Sequence, residues 1–261
     1  MIRYVDEESL VKDYITACNY DNVYGTINAS LYRLYSKNNQ GMFWNLYNET
    51  NILCGNLSLV NNAFTISLKD ENCITEVAKF IDFWGNFQFI KCDYCNATKL
   101  YNLIEKKCKM AFGEILVSDF DDIYYYKSSL FCKDINIYSA FELLRECFPI
   151  KMNGIELQTF NYDLNYRIRK GESLLLGLKN ENEVICLAEI LSLSDESVII
   201  GFLCTRKEYR NHGYASSLLK CILSEFSNKK VYIFAENSNL SAFYKKVGFN
   251  NFAVWAELQA V

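Results

Sequence analysis

The chain has 261 residues, 51% of them apolar and 22% charged, with 11 Gly and one Pro, a composition that excludes intrinsic disorder and low-complexity linker. No run of about 18 apolar residues occurs, and acids (Asp6, Glu7, Glu8) precede any apolar run at the start, so neither a membrane span nor a signal peptide is expected. The net charge of −4 divides unevenly, with 13 Lys/Arg against 12 Asp/Glu in residues 151–261 and 14 against 19 in residues 1–150; neither half has the basic excess of a nucleic-acid binder.

The length suits two domains, each able to bury its own core. In the first half, Glu7 to Cys18 and Thr26 to Tyr35 carry helical apolar spacing, and Met42 to Tyr47 reads as a strand. Strands from Ile52 to Val60 and from Phe64 to Leu68 flank a turn at Val60-Asn61-Asn62-Ala63 and predict a meander. A helix from Ile74 to Trp84, a strand from Phe87 to Cys92, a helix capped by Asn96 and ending near Lys107, and a strand from Phe112 to Val117 follow.

The second half repeats this order. Ile137 to Phe148 is predicted helical, stopped by the single proline, Pro149. A helix from about Glu156 to Lys170 closes on Gly171. Strands at Ser173–Leu178, Val184–Leu193 and Val198–Cys204, a helix (Gly213–Ser227), a strand (Val231–Ala235), a helix (Ser238–Val247) and a strand (Phe252–Leu258) complete the chain. The fold class is therefore α/β, two mixed-sheet domains with helices on both faces of each sheet, divided as 1–130 and 131–261.

Eleven cysteines spread through a long apolar chain read as reduced thiols in a cytoplasmic protein. Cys92 and Cys95 form a Cys-x-x-Cys pair, but no second pair accompanies it and His212 is the only histidine, so no metal site is expected. Tyr124-Tyr125-Tyr126 suits either a substrate groove or a strand with aromatics on both faces.

Chemistry concentrates after the strand Val198–Cys204. Leu203-Cys204-Thr205 run into a basic turn, Arg206 to Arg210, and then Asn211-His212-Gly213-Tyr214-Ala215-Ser216 opens a helix whose apolar residues fall at 218, 219, 222, 223 and 226. A helix start aims unpaired N–H groups at one point and suits a phosphate, and small residues such as Gly213 and Ala215 allow close approach. An ordinary strand-to-helix connection has the same outline. Farther on, Asn237 reads as an N-cap, Tyr244 lies two turns later on the same face, and Gly248-Phe249 ends that helix.

With both segments in view, the chain resembles the GNAT-type N-acetyltransferases. Arg210-Asn211-His212-Gly213-Tyr214-Ala215 is similar to that family's acetyl-coenzyme A signature, Arg/Gln-x-x-Gly-x-Gly/Ala. Asn237 to Phe249 is similar to its second motif, with an Asn, a Tyr and a Gly-Phe at matching spacing. The first half lacks the signature at its corresponding junction, Leu68-Lys69-Asp70-Glu71-Asn72-Cys73, where acids would repel a pyrophosphate. The resemblance thus implies a tandem protein with a degenerate N-terminal copy.

It further implies an N-acetyltransferase that moves acetyl from acetyl-CoA to a primary amine, a small molecule or a lysine or N-terminal amine, by direct attack in a ternary complex. Backbone amides from Arg210 to Ser216, His212 included, would anchor the cofactor, with Asn237 on the pantetheine arm. The strand end Leu203-Cys204-Thr205 would supply an oxyanion donor, and Tyr244 would protonate the leaving thiolate. Glu189, Glu236 and Glu257 are candidates for the base, Glu189 foremost. Cys204 reads as a buried structural thiol. The competing reading is a catalytically silent coenzyme A-binding sensor of the same fold. An aminoacyl-tRNA-dependent transferase is disfavoured by the acidic first half.

Overall fold

The computed structural model describes residues 1–38, 40–118, 126–181 and 183–261; Tyr124 and Tyr125 lie outside the described residues. By internal contacts the chain divides into two units that interleave in sequence: residues 1–115 with 234–238 and 251–261, and residues 116–233 with 239–250. The expected division at 130 is a single cut, whereas the last strand counts here with the first unit.

The first unit begins with a short strand, β1 (Ile2–Tyr4), then α1 (Glu8–Cys18) and α2 (Tyr24–Tyr35). The strands β2 (Gly41–Tyr47), β3 (Leu53–Val60) and β4 (Ala63–Leu68) form an antiparallel meander. Asn61 and Asn62 turn it with φ of 50° and 59°; asparagine tolerates the left-handed region that a two-residue hairpin needs. The helix α3 (Ile74–Trp84) then carries the chain to β5 (Phe89–Asp93), parallel to β4 as a crossover connection requires. Next come α4 (Tyr94–Leu103) and β6 (Cys108–Ser118).

Alternation along these strands sorts their side chains to two faces. Trp44, Leu57, Phe64 and Ile66 join Val77, Ile81 and Leu100 of α3 and α4 in one apolar core. The other face carries a buried polar network under α1 and α2. There Asn28 Nδ2 donates to Asn56 Oδ1 at 2.7 Å, Ser58 Oγ donates to Asn28 Oδ1 at 2.7 Å, and Asn45 Nδ2 donates to the Leu10 carbonyl at 2.7 Å. These bonds offset the cost of burying the amides, although the Asn45 Oδ1 has no hydrogen-bond partner among the described residues.

Two expectations are corrected in this unit. The α4 cap is Asp93, which accepts the Asn96 N–H at 3.0 Å, and the helix ends at Leu103 rather than Lys107; an ionised carboxylate is the stronger acceptor for the orphan N–H groups of a first turn. Cys54 and Cys73 are joined in a disulfide rather than reduced. Cys92 is buried and Cys95 exposed, so their spacing does not bring two thiols into one environment.

From residue 131 the element order repeats: β7 (Phe131–Cys132), α5 (Ile137–Cys147), α6 (Leu157–Arg169), β8 (Leu174–Asn180), β9 (Glu183–Leu193), β10 (Ser197–Thr205), α7 (Tyr214–Glu225), β11 (Lys230–Ala235), α8 (Ser238–Val247) and β12 (Asn250–Ala260). All but residue 250 of β12 counts with the first unit, where it pairs antiparallel with β5 from Trp255↔Asp93 to Gln259↔Phe89. The leading strands β1 and β7 escaped the sequence reading because three and two residues are too few for a period to show.

Strands β7 to β10 are antiparallel, and β11 joins β10 in parallel. Ala140, Leu143 and Leu144 of α5 and Leu164 of α6 pack on Leu175, Leu187 and Cys204. The predicted stripe of α7, Leu218, Leu219, Ile222, Leu223 and Phe226, is buried throughout, each fully covered aliphatic contributing roughly 1.5–3 kcal/mol. Among the described residues no helix is long and apolar enough to cross a membrane.

Candidate active site

The site lies where β10 hands over to α7. Pairing of β10 with β11 runs from Ser197↔Lys230 to Ile200↔Ile233 and stops there, while β10 itself continues to Thr205. Its register on β9 shifts on both sides of Ile200, the mark of a bulge that turns a strand out of line. The exposed backbone at Gly201 fits this bend.

The connection from Thr205 is built to hold an open helix end. Arg206 pairs with Glu146 of α5 at 2.8 Å, and the same carboxylate accepts the Lys207 N–H at 2.9 Å. A short 3₁₀ turn, Lys207–Tyr209, leads to extended backbone at Arg210. Asn211 and Gly213 then take positive φ of 64° and 81°. Gly213 is the N-cap residue of α7, and no side chain caps this helix. The first helical bond at the cap runs from the Ser217 N–H to the Gly213 carbonyl at 2.9 Å, so by helix geometry the N–H groups of Tyr214, Ala215 and Ser216 have no carbonyl behind them. A Cβ placed on Gly213 meets nothing within 4 Å. Together with the partial positive charge of the helix end, this is a cradle for an anion.

The cradle opens into a cavity of about 540 Å³, within the range of cofactor sites. Ten of the sequence-predicted residues line it: Leu203, Cys204 and Thr205 from β10, Arg210, Asn211 and Gly213 from the loop, Tyr214, Ala215 and Ser216 from α7, and Tyr244 from α8. His212 is outside the lining, its Nδ1 2.7 Å from the Arg210 carbonyl. Asn237 and Glu189 are also outside it.

Tyr244 is 5% exposed, and the end of α8 explains how it is held. The Phe249 N–H bonds the Tyr244 carbonyl at 3.2 Å and the Gly248 N–H bonds the Lys245 carbonyl at 3.2 Å, with Gly248 at φ 110°. This pair of bonds is a Schellman closure, whose apolar contact is between the two outer residues. Here that contact is the Tyr244 ring against Phe249, centroids 6.1 Å apart.

Glu189 sits on β9, 7% exposed. Its Oε1 accepts from Arg167 Nη1 at 2.9 Å and from Ser173 Oγ at 3.1 Å, and Arg167 Nη2 donates to the Leu191 carbonyl at 2.8 Å. Burial raises its carboxyl and the Arg167 guanidinium opposes the rise. Glu257 lies on β12, 3.6 Å from Lys91, and Glu236 follows β11.

The sequence reading missed part of the lining. Cys147 and Phe148 from the end of α5, Tyr209 from the loop, and Leu240 and Phe243 from α8 also face the cavity. No short-range signal marks them, because α5 reaches the site only through packing. A second cavity in this unit, about 780 Å³, is lined by Glu142, Glu146, Glu156, Arg145 and Arg206 among others.

Residues 137–249 match the acetyltransferase (GNAT) family. No curated protein sequence matches the chain. Among solved structures it is similar to an acetyltransferase of the GNAT family from Colwellia psychrerythraea, at 12% identity and a TM-score of 0.61 with both chains covered in full. It is also similar to a tandem GNAT protein from the clavulanic acid biosynthesis pathway, at 9% identity and a TM-score of 0.63, covering 100% of this chain and 98% of that one. A Drosophila protein is similar at 13% identity and a TM-score of 0.67, with 100% and 98% covered. Identities this low carry the fold alone: the α/β architecture of the GNAT proteins extends over the whole chain.

Proposed function

We propose that this chain is an N-acetyltransferase that moves an acetyl group from acetyl-CoA to a primary amine by direct attack in a ternary complex. The observation that carries the reading is the open, uncapped start of α7 beside Tyr244 in one cavity. The N–H groups around Gly213 would hold the pyrophosphate, with the backbone from Arg210 to Ser216 as anchor and Asn237 on the pantetheine arm. The bent end of β10, Leu203 to Thr205, would offer an N–H to the developing oxyanion, where a preorganised donor acts most strongly. Tyr244 would return a proton to the leaving thiolate. Glu189 is the candidate base, acting through water because it stands outside the cavity lining.

The second cavity of this unit supports a cationic acceptor, since three carboxylates face two guanidiniums there. A polyamine, an aminoglycoside or a lysine side chain has this character. In this reading the first unit is a degenerate copy without a cofactor site. A cytoplasmic location belongs to the same proposal, supported by nine free cysteines against the single Cys54–Cys73 pair.

One observation favours the alternative of a catalytically silent coenzyme A-binding protein: the Glu189 carboxylate is already engaged by Arg167 and Ser173. Calorimetry with acetyl-CoA, followed by turnover against a panel of amines, separates the two. Tight binding with turnover supports the enzyme, tight binding without turnover on any amine supports the silent protein, and no binding removes both.

A further inference from the structure

The two cavities of the second unit described above meet at the end of α5. Cys147 and Phe148 border the one beside α7, whereas Glu146 and Pro149, the residues on either side of them, border the larger one with its carboxylates. Residues 146–149 thus form a partition, the middle pair lining the cofactor side and the outer pair the acceptor side.

The partition is fastened to the end of β10. Cys147 donates its S–H to the Thr205 carbonyl at 3.4 Å, and the same carbonyl accepts from Arg210 Nε at 3.0 Å. Glu146 holds the next two residues of the loop, accepting from Arg206 Nη1 at 2.8 Å and from the Lys207 N–H at 2.9 Å. Phe148 is held as well. Its N–H closes the last turn of α5 on the Leu144 carbonyl at 2.7 Å, it packs on the apolar core that includes Leu144 and Cys204, and the Lys151 ammonium lies 5.8 Å from its ring centroid. A wall tied through both backbone and ring does not give way to a larger guest without strain.

The geometry of direct transfer decides which wall the acyl group meets. An amine attacks the thioester carbonyl carbon only from near contact, so that carbon has to lie where the acceptor cavity adjoins the cofactor cavity, and residues 146–149 are that place. The acyl chain then runs toward Phe148 and away from Leu240 and Phe243, which border the cofactor cavity from α8. We propose that Phe148 sets the acyl specificity of this site, its ring ending the acyl pocket and limiting the thioester to a two-carbon acyl group. The inference rests on the cofactor and acceptor readings given above and deepens them. Phe148 acts by bulk alone, since a longer chain would have to displace the ring or its anchors.

The test titrates the whole chain by calorimetry with free coenzyme A and with its acetyl, propionyl, butyryl and hexanoyl thioesters, so no acceptor amine is needed. Butyryl-CoA, two methylenes longer than acetyl-CoA, should bind at least about tenfold more weakly, and hexanoyl-CoA more weakly still. In Phe148→Ala the acetyl and butyryl thioesters should bind alike, with free coenzyme A bound as in the parent chain; Phe148→Leu, which keeps an apolar contact with the core, should fall between the two. Phe243→Ala should retain the discrimination. Equal affinity for all the thioesters in the parent chain, or discrimination that survives both Phe148 substitutions, overturns this inference and leaves the cofactor reading standing. Loss of free coenzyme A binding in both Phe148 variants overturns it too, because the ring would then be holding the fold or the cofactor rather than bounding the acyl group. Failure of free coenzyme A and every thioester to bind the parent chain overturns both readings.

Discussion

The two units meet the same structural problem, a strand leading into a crossover helix, and solve it in opposite ways. In the first, β4 ends at Leu68 and the helical path begins at Glu71, where the Asp70 side chain accepts the Asn72 N–H at 3.0 Å. The chain fills its own helix start with a carboxylate. In the second, β10 ends at Thr205, the loop passes through left-handed Asn211 and Gly213, and α7 starts with no side chain over it. A helix start closed by its own acid has neither the donors nor the charge to hold an anion, whereas one left open has both. One element order thus yields a structural junction in one unit and a candidate binding site in the other.

The largest expected effect comes from Tyr244→Phe. Loss of a general acid lowers kcat by about 10²–10⁴-fold, with acetyl-CoA affinity retained because the ring and its contact with Phe249 stay; steady-state rates and calorimetry check the pair. Equal kcat would leave the tyrosine as only the closing contact of α8.

Next is the pair beneath the second unit's sheet. Glu189→Leu removes the buried carboxylate partner of Arg167, which keeps the Leu191 carbonyl and Asp163 at 4.0 Å, and should cost up to about 3 kcal/mol, read by urea unfolding. Because the Glu189 carboxyl is raised, the folded chain holds a proton that the unfolded chain has released. Its contribution is fully present below the ordinary glutamate value and is lost as pH rises through the raised one. Glu189→Gln should remove this pH dependence from the unfolding curve.

Gly213→Leu addresses the open junction itself. Its Cβ meets no atom, so the chain should fold, with a left-handed penalty of about 1–2 kcal/mol. The leucine would occupy the cradle, and acetyl-CoA affinity should fall by at least about tenfold, or 1.4 kcal/mol. Unchanged affinity would break the comparison. The smallest effect belongs to the closed junction: Asp70→Ala should cost about 1 kcal/mol of stability and leave the binding stoichiometry at one acetyl-CoA per chain. A second binding event after that substitution would show that the cap alone hides a site.

Much of the molecule is legible in the sequence because its signals are local. The apolar stripe of α7 appears at helical spacing, Asn61-Asn62 marks its hairpin, and Gly248-Phe249 marks the end of α8, all within a few consecutive residues. The anion cradle belongs to this class, since left-handed backbone at Gly213 and small residues after it are properties of neighbouring positions. The cap of α4 shows the limit: Asp93 and Asn96 are both capable residues three apart, and only the fold chose between them.

Tertiary structure alone decided the rest. The C-terminal strand β12 alternates like any strand, and its sequence does not name β5 as its partner, because backbone pairing is indifferent to which edge it meets. Glu189 reads as a free carboxylate until Arg167, 22 residues away, is seen against it. Cys54 and Cys73 stand 19 residues apart in sequence. Cys147 reaches Thr205 and Arg210 across 58 and 63 residues, and no motif spans that distance. By itself the sequence determined the helices, the strands and the shape of the loop between β10 and α7, since short-range sterics and periodicity dictate them. Which side chains share a cavity, and so which thiol lies beside a guanidinium, depends on contacts between residues far apart in the chain, and these exist only once the sheet has assembled.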